Sequence, residues 1–426
     1  MNFANSSMTG KQRVEWPGAM MILVLLGGCT SLPVDDVIGT QPAPGVRLGE
    51  EILLLDARTE RVATQMTADG RVHLVAITPS GDARYLAIGA QGVEQAGRIG
   101  ESGRYGYYSN LAIADDGRGR VHVVLRDEHW ILEDGAWTLA GENRCALLAR
   151  AADSLVCAQV VDGKELATLP QWGVTGFGGF GAGIIIPYRI RPDKLVLATW
   201  GDHGWEHQAV IEHGSDYSIN TKIFDDAILS GDARGTLSLL YRAHIGPSTS
   251  THYTQIALDQ EARRTVEWRR PGQPTILLAD IPARDAGWLV PFFELAFAVD
   301  PQGGATAFLA QQDSGWRPVN GIVVEREWPV REFLPVTLGN SRGRALAPAG
   351  EKRFHALFTL ANRLIYLSYG AQGWSQPTRL GEFGTPSLFL IDHASVQLAS
   401  NGRPQALVVW PRREGRLVGR WIELNP

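Results

Sequence analysis

The sequence predicts an all-β chain built as a β-propeller, a ring of short four-stranded sheets, on three observations. One residue in six is glycine or proline (48 and 23 of 426), which suits many short strands and turns better than long helices. Apolar runs alternate at period two between turns rich in Asp, Asn and Gly, the pattern of half-buried strands. Related segments also recur along the chain, and a period of about 40–50 residues marks propeller blades.

The clearest repeat joins the two ends of the body. Arg71-Val-His73 is echoed by Arg353-Phe-His355, and Gly-Ala-Gln-Gly stands entire at 89–92 and 370–373. A third copy opens at Asp116-Gly117 and continues through Arg120-Val-His122. In each unit a first strand ends in a turn such as Asp69-Gly70, Asp116-Gly117, Asp232–Gly235, Asp300–Gly303 or Asn401-Gly402. A second apolar strand follows, then a third carrying Tyr85, Trp130, Tyr253 or Tyr366. The fourth opens on tryptophan, as at Trp137, Trp205, Trp268, Trp328 and Trp374, whose expected role is packing between blades.

Counted this way there are seven units, at 57–100, 101–142, 143–214, 215–279, 280–338, 339–384 and 385–426. Units three to five are longer and less regular, so six or eight blades remain compatible with the spacing. The last unit lacks a fourth strand of its own. The orphan strand Glu51-Ile-Leu-Leu-Leu-Asp56 is expected to fill that place, closing the ring and removing an exposed sheet edge.

Glycine turns, aromatic openings and recurrent histidines resemble the BNR and sialidase-like propeller superfamily. Ser230-Gly-Asp-Ala-Arg-Gly235 misses that family's Asp-box by one residue, and Pro187-Tyr-Arg-Ile-Arg-Pro192 partly resembles the sialidase Tyr-Arg-Ile-Pro. The resemblance implies a propeller body. The second motif falls inside unit three rather than before the repeats, which argues against sialidase activity.

Ahead of the body, residues 1–18 are polar with Lys11 and Arg13, residues 19–26 are apolar, and Gly27-Gly28-Cys29 follows. This is the layout of a secretory signal. Eight apolar residues cannot cross a hydrocarbon core that needs roughly 20 in a helix. Leu26-Gly27-Gly28-Cys29 resembles the lipobox of bacterial lipoproteins. That resemblance implies removal of 1–28, lipid (acyl, including palmitate) modification of Cys29, and, with Thr30 next, an outer-membrane lipoprotein facing the periplasm or the cell surface. Residues 29–49 then read as a proline-containing tether and 50–426 as the propeller domain.

Cys145 and Cys157 lie on two consecutive apolar runs split by a turn. A hairpin would bring them together as a disulfide in an oxidising compartment; two buried thiols are the other reading. A net charge of −5 gives no basic field for nucleic acid. No histidine or third cysteine stands at zinc spacing, so neither a metal nor a cofactor is expected. Gly176-Phe-Gly-Gly-Phe-Gly181 matches a dinucleotide fingerprint only formally, because Ile184-Ile-Ile-Pro187 is no helix. Its glycines, with Trp172, Phe177 and Phe180, form either a cap over the channel or a surface loop. His73, His122 and His355 occupy equivalent places in separate units, so they are expected to make blade-to-blade hydrogen bonds rather than to converge on a metal.

Long, irregular connections belong to one face of such a ring, and binding residues gather on loops of that kind. First-strand starts on that face point toward the central channel. They nominate Tyr108, Asn110, Asp226, Glu294, Arg344 and His393, joined by Arg104 and Arg189. Two function classes follow. One is a lipid-anchored envelope scaffold that binds a protein partner or glycan through this variable face. The other is a sialidase-like or lyase-like carbohydrate-active enzyme that uses two channel-mouth carboxylates as acid and base.

Overall fold

The computed structural model describes residues 41–425 apart from 107–109, 144, 146, 162–193, 202–203, 212–220, 247–262, 271, 283–292, 303–304, 313–318, 325–341, 361, 383–395 and 413–414. Every regular element in the described residues is a β-strand. Neighbouring strands pair antiparallel into seven sheets. Their innermost strands are, in order, Arg61–Met66, Leu111–Asp115, Leu147–Ala151, Thr221–Gly231, Phe293–Val299, Arg342–Gly350 and Gln397–Ala399. Each lies beside the next, and the last returns to the first. The described residues from 41 onward therefore form an all-β propeller.

Six of the sheets have four strands or more. The fifth has three, Phe293–Val299, Ala305–Gln312 and Val319–Val324, where four had been expected; Trp328, nominated to open the missing one, lies outside the described residues. The fourth sheet departs from expectation in another way. Its third strand is Arg263–Arg269, so Trp268 sits on the third strand rather than opening the fourth, which is Ile276–Pro282. Residues 242–246 extend the hairpin strand Leu237–Gly246, with Thr221 paired to Gly246.

Second strands are buried on both faces. All of Val72–Ile77 and of Val121–Leu125 is buried, because each sheet packs against a neighbour on either side, and this erases the polar–apolar alternation. Between the first and second sheets Val75, Ile77 and Tyr85 meet Ile113, Val123 and Leu125. The Tyr85 ring takes the edge of Trp137 at 5.1 Å, so this tryptophan does pack between sheets.

The ring is sealed by Val46–Leu55, which pairs with Leu417–Leu424 from Val46↔Leu424 to Leu55↔Leu417. The closing strand begins four residues before the expected domain boundary. Ala43 is already docked, its N–H donating to Thr378 Oγ1 at 2.9 Å. Residues 43–49 thus belong to the propeller, not to the tether.

Polar bonds join every pair of adjacent sheets on the face of the short turns. Gln65 Nε2 donates to Asp115 Oδ2 and Arg150 Nη1 to Asp115 Oδ1, both at 2.8 Å. The Ala152 N–H meets the Asp232 carbonyl and the Ala233 N–H the Pro301 carbonyl, each at 2.9 Å. The Lys352 N–H reaches Asp300 Oδ2 at 2.9 Å, and Ser400 Oγ reaches the Pro348 carbonyl at 2.6 Å. Asn401 Nδ2 donates to the Thr67 carbonyl at 2.8 Å and completes the belt.

Candidate functional site

The two faces of the ring are built differently. First and second strands are joined by turns of two or five residues. Aspartates hold these turns: Asp116 Oδ1 accepts from the Arg118 and Arg120 N–H groups, and Asp232 Oδ1 from those of Arg234 and Thr236. Connections on the opposite face range from two residues, at 126–127 and 361–362, to stretches as long as 162–193 and 247–262.

Four of the nominated site residues lie at the end of their strands or connections toward that opposite face. Asn110 immediately precedes an innermost strand, Glu294 and Arg344 stand second and third in theirs, and Arg104 lies in the connection 100–110. Asp226 is a correction: it is sixth in Thr221–Gly231, because that strand starts earlier than its apolar pattern indicates. Tyr108, Arg189, His393, Cys29 and the 176–181 glycine run lie outside the described residues. Arg104 is not free, since its Nη2 is 2.6 Å from Glu128 Oε1. Glu128, itself buried, also accepts from the Tyr105 hydroxyl at 2.8 Å and Trp130 Nε1 at 3.1 Å.

Other buried polar groups are likewise matched to one another. Glu267 accepts from the Tyr241 hydroxyl at 2.8 Å and the Thr265 hydroxyl at 2.7 Å. Burial and the adjacent Glu267 push the Tyr241 phenol above its ordinary range. Cys145 and Cys157 form a disulfide with a Cα–Cα distance of 5.7 Å.

His73 and His122 bond within their own sheets, which corrects the blade-to-blade role expected of them, whereas His355 bonds both within its sheet and to the Arg403 carbonyl of the next, as expected. His73 Nδ1 meets the Tyr85 hydroxyl at 2.8 Å, and His122 Nδ1 meets His129 Nε2 at 3.0 Å. Each pair is one diagonal step apart across the second and third strands, an arrangement the strand register repeats in both sheets. Desolvation lowers His73 to about 4 and His129 to about 3, and it lowers His122 as well.

The hollows among the described residues open on the short-turn face. One of about 460 Å³ sits over the channel mouth, lined by Gln65, Asp115, Arg150, Asp232, Pro348 and Ser400. A second, of about 410 Å³, lies between the first and second sheets. Both include Ala68, Asp115 and Arg150. Gly117 shapes this region: its φ is +74°, and a Cβ there would stand 2.6 Å from Arg150 Nη2. Glycine lets the guanidinium lie over the turn and reach Asp115. Sequence reasoning missed these hollows because it followed loop length to the other face. The signal available was Asp115-Asp116, a doubled acid where the other turns carry at most one.

No family model matches the chain, and no curated protein does. Among solved structures it is similar to a polysaccharide lyase, the PL25 ulvan lyase bound to -[GlcA(1-4)Rha3S]-, at 12% identity over 89% of this chain and 96% of that one, TM-score 0.47. It is also similar to the Cps50 (Swd1) β-propeller domain of Myceliophteria thermophila, at 9% identity over 88% and 99%, TM-score 0.44. A third is the Aleuria aurantia lectin in complex with Fucα1-6GlcNAc, at 11% identity over 79% and 100%, TM-score 0.41. At such identities a likeness concerns the fold alone, and this chain's fold is carried by its own ring of sheets.

Proposed function

We propose that this chain is a binding scaffold of the cell envelope, anchored by lipid on Cys29 and holding a protein partner or a glycan on the face of the long connections. One observation carries the reading. A hydrogen-bonded ring keeps every described first-to-second-strand turn to two or five residues on one face and sends its longest connections, 162–193 and 247–262, from the other, the division expected of a scaffold that presents variable loops. Among the described residues the buried carboxylates Glu128 and Glu267 are engaged by neighbouring side chains. This fits a structural role for them better than acid–base work. In the same reading the fifth sheet is a blade like the others, and the ring has seven.

The test combines Asn110→Ala, Glu294→Gln and Arg344→Ala with a glycan array and with cross-linking to envelope proteins. Expected is loss of the wild-type ligand at an unchanged melting temperature, with Cys29→Ala releasing the protein from the membrane fraction. Wild-type binding by all three variants overturns the face assignment. Membrane retention of Cys29→Ala overturns the anchor.

A further inference from the structure

The hollow between the first and second sheets is a built site on the face opposite the long loops. From the first sheet it takes Asp69, Arg71, His73, Tyr85 and Gln95. Facing these are Asp115, Asp134 and the apolar Val121 and Leu132 of the second sheet, with Arg150 of the third. At about 410 Å³ it lies within the range of small-molecule sites, about 300–1,000 Å³.

Both of its guanidiniums are already paired. Arg71 Nε is 2.9 Å from Glu94 Oε2, and Arg150 Nη1 is 2.8 Å from Asp115 Oδ1. A ligand therefore meets paired donors and acceptors with a small excess of negative charge. Guanidinium groups donate, carboxylates accept, and the Gln95 amide does both. At the floor the His73–Tyr85 pair is uncharged at neutral pH beside apolar Val121 and Leu132. Hydroxyl groups that both donate and accept, on a ring with apolar C–H faces, match such a lining. An anion gains little where carboxylates outnumber guanidiniums three to two.

We infer that this hollow binds a neutral saccharide. The site stands apart from the loop face and does not depend on it.

The experiment titrates the wild-type protein with cellobiose, maltose and chitobiose, and with digalacturonic acid as the acidic counterpart, read by saturation-transfer NMR. Ala68→Trp fills the exposed mouth, Gln95→Ala removes one two-way hydrogen-bonding group, and thermal melting confirms that both variants fold. Expected is binding of at least one neutral disaccharide, weakened about tenfold or more by Ala68→Trp and less by Gln95→Ala, each with an unchanged melt. Preference for digalacturonic acid overturns the proposal, as does silence from every neutral sugar. Sugar binding that survives Ala68→Trp but is lost in Glu294→Gln also overturns it, and instead supports the loop-face reading.

Discussion

His355 Nδ1 lies 2.8 Å from the Tyr366 hydroxyl, while its Nε2 faces the Arg403 carbonyl of the next sheet at 3.4 Å. A carbonyl only accepts, so Nε2 carries the proton and the tyrosine donates to Nδ1. This is the neutral imidazole. Burial lowers it to about 4, as it does His73, and pushes the Tyr366 phenol up.

Acid should therefore loosen the ring in a defined window. Both histidines hold fewer protons folded than unfolded between about pH 4 and the ordinary value near 6.5, so stability falls as pH drops through that interval and levels off below it. Urea unfolding at steps from pH 7.5 to 4 checks this. His355→Phe should start less stable, by about 1–3 kcal/mol for the stranded tyrosine hydroxyl, and lose less on acidification. An equally steep slope in the variant refutes the assignment.

Removing residues 46–55 should expose the Leu417–Leu424 edge and produce aggregates on size-exclusion chromatography. Leu54 is 6% exposed in a cluster with Leu407, Leu417 and Trp421. Leu54→Ala should accordingly cost about 2–5 kcal/mol in chemical denaturation. A deletion variant that stays monomeric with its original melt would show that the seam is dispensable.

Asp115 receives both Gln65 and Arg150, bridging three sheets with one carboxylate. Asp115→Ala should destabilise by about 3 kcal/mol, since both donors lose a charged acceptor. Asp115→Asn, which keeps a carbonyl oxygen, should cost less. Equal losses in denaturant midpoint would mean that charge, rather than hydrogen-bond count, governs this joint.

The sequence was most readable where local chemistry repeats. Asp69-Gly70, Asp116-Gly117 and Asn401-Gly402 each mark a first-to-second-strand turn, because aspartate acceptance and glycine φ are decided within five residues. The orphan strand Glu51–Asp56 was legible from apolar content alone, although Val46–Leu48 was hidden by its polar neighbours Arg47, Gly49 and Glu50. Long-range partnerships were not legible. That His73 would bond Tyr85 inside its own sheet depends on strand register, and the Gln65–Asp115–Arg150 bridge depends on three sheets meeting at one point. Neither leaves a spacing signal. The fourth sheet misled for a related reason: Arg242 and His244 look like loop residues but belong to a strand extended by pairing with Thr221–Asp226.

Pairing Val46 with Leu424 ties together positions nearly the whole chain apart, and this sets the order in which the molecule can be made. Six sheets draw their strands from consecutive stretches and can assemble as synthesis proceeds. The seam alone must wait until residue 424 has emerged. Until then Val46–Leu55 has no partner strand, and Leu54 lacks the Leu407, Leu417 and Trp421 side of its core. Contacts of such sequence separation form late and slowly. Completion of the ring is therefore timed by the C-terminal hairpin, and a chain cut short anywhere before it would be left open.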